Sequence, residues 1–253
     1  MQRLAGHVKS VFSLGGTVME RIEHGSEIIW YDPECFDAFN RDFFEIDYWR
    51  EQDAIRGKAV GRNTTWFVED EVCHKVLRHY YRGGMIGRVM EDTFLHVAES
   101  KSRAMAEFTV LAKLHRRGLP VPRPCAARMV RSNLVYRADI ILTRIDNSRD
   151  LVAILQERAL EKAEWHHVGK TIRQFHDAGL YHADLNSHNI LLDDSGKSWL
   201  IDFDKCHFRQ TGSWARENME RLLRSFRKEL NLHPEFNWKE ADWRALLSGY
   251  RAS

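Results

Sequence analysis

Hydrophobic and polar positions change their rhythm along the chain, and the change divides it. TTWFVE (64–69) and VCHKVLRHY (72–80) are rich in β-branched and aromatic residues, with acidic EDE between them. They predict a hairpin that follows a glycine-containing loop. Next, SRAMAEFTVLAKLHRRG places Met105, Phe108, Leu111 and Leu114 at helical spacing, with Ser102 as an N-cap and Gly118 as the stop. Pro120, Pro122 and Pro124 then enforce an extended crossing, and CAARMV and LVYRADIILTRI read as two more strands. The polar NSRD (147–150) reads as a link, a candidate hinge between lobes.

Beyond it the period becomes helical, in LVAILQERALEKA and in EWHHVGKTIRQFHDAGL with Gly179 near its end. A last helix is expected over SWARENMERLLRSFRKELNL, with Trp214, Met219, Leu222, Leu223, Phe226 and Leu230 on one side. A strand-rich half is followed by a helix-rich half, which predicts an α+β fold. The first 55 or so residues carry less pattern. IIWYD (28–32) looks like a short strand and FDAFNRDFFEIDYW (36–49) like a helix or packed loop, and no chemistry is read there.

Composition narrows the function classes. A chain of 253 residues, 43% hydrophobic, can bury one large core or two small ones. Its formal charge of +2 argues against bulk nucleic-acid binding, so an anionic partner must be met by local clusters. Cys35, Cys73, Cys125 and Cys206 lie far apart without metal-binding spacing, so a reducing cytoplasm is expected rather than a disulfide framework. The first twenty residues lack the apolar core of a signal peptide, and no window approaches the roughly 20 apolar residues of a membrane span.

Candidate chemistry concentrates in YHADLNSHNILLDDSGKSWLIDFDK (181–205). NILL and WLID are apolar strands around DDSGKS, a run of turn formers. If Leu192 pairs with Trp199, antiparallel register sets Asn189 beside Asp202 at the open mouth of the hairpin. Asp184 lies five residues before Asn189, within a loop's reach. Two carboxylates and an amide oxygen suit magnesium, which takes oxygen ligands and keeps sites for phosphate and water. Asp202 and Asn189 would hold the metal, and Asp184 would orient an acceptor hydroxyl and take its proton. Read singly, Asp184 and Asn189 could be loop caps and Asp202 a turn former. Their order around one hairpin favours the phosphoryl-transfer reading.

The order H-x-D-L-x-x-x-N, hairpin, D-F-x resembles the catalytic and metal-binding loops of the protein-kinase-like fold. The resemblance implies a strand-rich N-lobe at 56–146 and a helical C-lobe at 147–253, with residues 1–55 as an extension packed on the N-lobe. It also implies Mg2+ and ATP as cofactors. KVLR stands where kinases carry V-A-I-K, which implies that Arg78 supplies the cation on the α- and β-phosphates and that Glu107 pairs with it. Arginine's planar fork does not reproduce a compact ammonium. Lys75 is the other candidate, and strand alternation places it on the face opposite Arg78. The nucleotide loop GKAVGRNTTWFV has Gly57 and Gly61 but not G-x-G-x-x-G. Gly61 is the cofactor-binding candidate there, Asn63 could take a positive φ, and a plain hairpin turn explains the segment equally well.

Departures point away from peptide substrates. Ala183 replaces the arginine that docks a phosphorylated activation loop, and nine residues separate Asp204 from Trp214 without A-P-E, too few for a peptide platform. A sugar or small-molecule hydroxyl is the expected acceptor. DFD replaces DFG, and Asn186 replaces the lysine often found two residues after the catalytic aspartate. Asp204 is a further contact or a solvated turn residue.

VGRNTTWFV, VLRHYYRGG, SRAMAEFTVLAKLHRRGLPVPRP, YHADLNSHNILLD and WLIDFDKC are more closely similar to the lipopolysaccharide-core kinases. This implies ATP-dependent phosphorylation of the 4-hydroxyl of 3-deoxy-D-manno-octulosonic acid (Kdo) on a Kdo-lipid A precursor, by a peripheral protein at the cytoplasmic face of the inner membrane. No nucleic acid or obligate protein partner is implied. Basic groups for an anionic glycolipid are Arg78, Arg82 and Arg88, and then Arg216, Arg221, Arg224, Arg227 and Lys228, although the second group is equally a solvated helix face. His182 reads as structural, and His188 as a substrate contact or a satisfied buried imidazole; His166 and His167 lack a third ligand. A heptose or other sugar kinase and a non-catalytic nucleotide-binding scaffold remain the alternatives.

Overall fold

The computed structural model describes residues 8–60, 64–80, 93–95, 97–210 and 212–252. Gly61, Arg62, Asn63, Arg82 and Arg88 lie outside the described residues. The chain divides into two compact units, the first reaching Arg116 and resuming over Pro122–Arg144, the second made of Arg117–Val121 and Ile145–Ser253.

The first unit is built on one antiparallel sheet. Its path among the described residues is β1 (Val8–Leu14), β2 (Thr17–His24), β3 (Glu27–Tyr31), β8 (Pro124–Ser132), β9 (Val135–Thr143), β6 (His74–His79), β5 (Thr64–Glu69) and β4 (Ile55–Val60), with β7 (Phe94–Leu95) pairing β9 at its other end. The alternation read in TTWFVE and HKVLRH is therefore that of two neighbouring strands, in which Val68 sits opposite Lys75 and Thr65 opposite Arg78. The aromatic stretch at 36–49 contributes one short 3-10 turn (Arg41–Phe44) and most of α1 (Ile46–Glu51), and a second 3-10 turn (Pro33–Cys35) precedes it. Phe36, Phe39, Phe43, Phe44 and Trp49 pack there with Val68, Leu77 and Ile141 of the sheet. A period of two or 3.6 could not show in a segment folded this way. On the opposite side from Leu77, α2 (Arg103–Arg116) buries Met105, Phe108, Leu111 and Leu114, the spacing expected, and Gly118 follows it at φ +71°.

The second unit holds α3 (Leu151–Glu157), α4 (Lys162–Asp177), α5 (Trp214–Leu232) and α6 (Glu240–Arg251). NSRD is not a free link. Ser148–Asp150 forms β10, which pairs with β12 (Ile190–Asp193), and Asp150 caps α3 by accepting from the amides of Val152 and Ala153. β12 pairs in turn with β13 (Ser198–Leu200), and β11 (Leu180–Tyr181) pairs with β14 (His207–Phe208). Helices α4 and α6 touch backbone to backbone: a Cβ on Gly169 would lie 1.9 Å from the Leu246 carbonyl oxygen, and one on Gly249 would lie 1.9 Å from that of His166. The buried stripe of α5 is Trp214, Asn218, Met219, Leu222, Phe226 and Glu229, whereas Leu230, expected inside, is exposed. Two polar residues lie in that stripe, and both face the chemistry described next.

Candidate active site

The hairpin closes one residue away from the expected register. Leu191 pairs with Trp199 and Ile190 with Leu200, so Asn189 lies opposite Ile201 rather than Asp202. Antiparallel partners share a face. Ile190 and Leu200 are both buried, whereas Leu191 and Trp199 are both half-exposed. Asp193 fixes the turn: its carboxylate accepts from the amides of Ser195 and Lys197 and from the indole of Trp199 at 2.8 Å.

The loop before the hairpin is tied down atom by atom. Asn218 on α5 accepts from the His182 amide at 3.2 Å and donates to the His182 carbonyl at 2.9 Å. Ser225, two turns on, accepts from the Ser187 amide at 3.1 Å, and the two hydroxyls meet at 2.7 Å. Asn186 caps the 3-10 turn Ser187–Asn189. The side-chain amide of Asn189 donates to the Asp184 carbonyl at 2.9 Å, which aims its own oxygen elsewhere. The Asp184 backbone is held while its side chain stays 62% exposed, 3.7 Å from the guanidinium of Arg221.

His182 joins this loop to the strand that precedes Asp202. Its Nδ1 accepts from the Asp184 amide at 3.3 Å, so Nε2 carries the proton and donates to the Ile201 carbonyl at 3.1 Å. Burial pushes the imidazole pKa down, in keeping with this neutral form. The Ile201 amide donates to the Asn189 carbonyl at 3.1 Å, so both backbone polar groups of the residue before Asp202 are held. Asp202 itself takes a left-handed conformation at φ +62°. Asp184 and Asn189 are thus joined directly, and Asp202 is attached to both through Ile201.

His188 is not buried. Its side chain is 56% exposed and lies 3.5 Å from Asp150 and 3.4 Å from Glu229, and the hydrogen bond to Asp150 leads in raising its pKa.

In the first unit Arg78 and Glu107 form an ion pair at 2.5 Å, with side-chain exposures of 13% and 0%. Tyr80, fully buried, donates to the same carboxylate oxygen at 2.6 Å and lies under the guanidinium. Lys75 points to the other face. Its ammonium bonds both oxygens of Asp70 at 2.5 Å and lies over the Phe36 ring, so it is engaged within the aromatic layer. Sequence reasoning missed Tyr80, although two-residue alternation from Arg78 could have found it. It also missed Asn218, whose signal was a polar letter within an apolar helical stripe.

A model of the lipopolysaccharide kinase (Kdo/WaaP) family matches residues 46–250. The chain belongs to that family. As a lipopolysaccharide kinase by family it is a phosphotransferase with an alcohol acceptor, and its two units make the α+β kinase-like fold. The chain is 43% identical to a 3-deoxy-D-manno-octulosonic acid kinase of Vibrio parahaemolyticus over 90% of its own length and 96% of the relative's. It is 40% identical to one of Photobacterium profundum over 92% and 98%, and 41% identical to one of Actinobacillus succinogenes over 86% and 96%.

Proposed function

We propose that the protein transfers the γ-phosphoryl group of ATP to the 4-hydroxyl of Kdo on a Kdo-lipid A precursor, Kdo-lipid IVA. The observation that carries the reading is the contrast at Asp184, an exposed carboxylate on an immobilised backbone. In the proposed step the acceptor hydroxyl gives its proton to Asp184 as its oxygen bonds to phosphorus, and the bond from phosphorus to the leaving ADP oxygen breaks. Arg78, fixed by Glu107 and Tyr80, supports the nucleotide phosphates with a planar fork of donors.

Asn189 and Asp202 fit a magnesium ion in donor chemistry, one amide oxygen and one carboxylate. Among the described residues no three or more His, Cys, Asp or Glu side chains cluster as a metal site. Two protein oxygens with the remaining positions left to phosphate and water is the coordination magnesium favours in such enzymes. When bound, it would neutralise charge on the transferring phosphoryl group.

The relatives' names support Kdo as the sugar that is phosphorylated, and the exposed Asp184 agrees with a bulky acceptor. Because that acceptor is a membrane lipid, we place the protein peripherally at the cytoplasmic face of the inner membrane. No helix among the described residues is long and apolar enough to cross a bilayer. The test is mass spectrometry of Kdo-lipid IVA after incubation with protein and magnesium-ATP. One added phosphate mapped to O4 of Kdo, absent with Asp184→Ala, is expected. A phosphate added elsewhere on the lipid, or none with ATP still bound, would refute it.

A further inference from the structure

Arg221 is the residue of α5 that the step above leaves unused. Asn218, three residues earlier, grips the backbone of His182, and Ser225, four residues later, grips that of Ser187. Helical spacing places all three on one face. The helix is thus pinned to the loop about one turn to either side of Arg221, and the guanidinium is delivered beside Asp184 by construction. Its neighbours along the helix behave differently. Arg216 pairs with Glu220 at 3.5 Å and Arg227 with Glu240 at 2.8 Å, whereas Glu217, one turn before Arg221, accepts from Ser213 instead.

The contact with Asp184, at 3.7 Å and with side-chain exposures of 43% and 62%, is an open ion pair longer than a hydrogen bond, between two part-exposed side chains. An acceptor whose hydroxyl meets Asp184 must approach from the solvent side, with the rest of its ring beside Arg221. Arginine's fork matches a carboxylate through two parallel hydrogen bonds. The relatives' acceptor is by name an octulosonic acid, so it carries a carboxylate on the same residue as the hydroxyl.

We infer that Arg221 determines acceptor specificity by binding the carboxylate of the sugar acid while Asp184 takes the hydroxyl proton. The inference rests on the proposed reaction and adds that the acceptor must be acidic. Its place is also filled differently from that of the lysine two residues after the aspartate in many kinases, since position 186 here is an asparagine.

The experiment compares two acceptors, Kdo-lipid IVA and the same lipid with the Kdo carboxyl reduced to an alcohol, in wild type, Arg221→Gln and Arg221→Lys. In wild type, reduction of the carboxyl is expected to lower kcat/KM by about 10- to 100-fold, the range for losing a charge-assisted hydrogen bond. In Arg221→Gln both acceptors should be used at one common low level, with an unchanged KM for ATP. Arg221→Lys should recover part of the preference, and it keeps the stem and charge should Arg221→Gln fail to fold. If Arg221→Gln lowers kcat on both acceptors and the preference for the carboxylate persists, the guanidinium serves the phosphoryl group and the inference is overturned. An unaltered rate and preference would reduce Arg221 to a surface residue. If wild type phosphorylates neither lipid, the proposed reaction itself fails, and the inference goes with it.

Discussion

Arg78 and Asp184 stand in opposite relations to their surroundings. Around Arg78 the charge is fixed: Glu107 is fully buried, Tyr80 bonds the same oxygen, and the guanidinium is almost wholly enclosed. Around Asp184 the backbone is fixed and the charge is only loosely paired: Asn189, His182 and, through His182, Asn218 hold peptide groups, while the part-exposed carboxylate meets Arg221 at 3.7 Å. In the proposed reaction Arg78 must only be present beside the phosphates, and such a cation can be locked by its side chain. Asp184 is proposed to take up and release a proton, which suits a group whose main chain alone is locked.

The contrast breaks most visibly in paired substitutions. Asp184→Ala should lower kcat by about 10²- to 10⁴-fold, the usual worth of a general base, and leave the urea midpoint nearly unchanged because the side chain is exposed. Glu107→Ala should do the reverse at first, removing about 3–5 kcal/mol of stability because it strands a buried guanidinium. Urea unfolding of both variants, with steady-state kinetics beside it, checks the pair; a stable Glu107→Ala would mean that the ion pair is not enclosed.

Asn218→Ala tests the backbone side alone. It leaves the buried amide and carbonyl of His182 without their partner, so a loss of about 1–3 kcal/mol is expected. Because Asn218 touches no substrate in this reading, kcat should fall while the KM for ATP holds. Equal losses in kcat for Asn218→Ala and for a destabilised variant elsewhere would deny it a positioning role.

The smallest effect comes from pH. Burial lowers the pKa of His182, and lowers that of His176 to about 4. A histidine with a folded pKa below its unfolded value of about 6.5 binds more protons when unfolded. Its contribution is fully present above pH 6.5 and declines as pH falls, by up to about 1.4 kcal/mol per unit for each group. His188, shifted upward, opposes this in part, since its contribution is present below 6.5 and is lost as pH rises through its folded pKa. Thermal melting between pH 7 and 5 should show a net fall, and His176→Gln should flatten it.

Much of this was legible in the letters. Alternation in HKVLRH separates Lys75 from Arg78, and the structure adds only what each meets. The order Asp184, Asn189, Asp202 also marks the loop and hairpin without any coordinates. Register was not legible, because ILL is continuous apolar sequence and the decision falls to Asp193, whose side chain organises the turn. The aromatic stretch at 36–49 was legible only as a helix or packed loop, since one short 3-10 turn and the start of a short helix leave little period to read. Arg221 looked like part of a solvated basic face, and only the two clamps either side of it distinguish it from Arg216 or Arg227.

Asp202 carries a side chain at φ +62°, where glycine rests without strain and most other residues lose about 1–3 kcal/mol. If Asp202 holds metal as proposed, backbone ease and chemistry ask for different residues at this position. A glycine at 202 would adopt that backbone freely, but it would discard the carboxylate that the proposed reaction assigns to the metal.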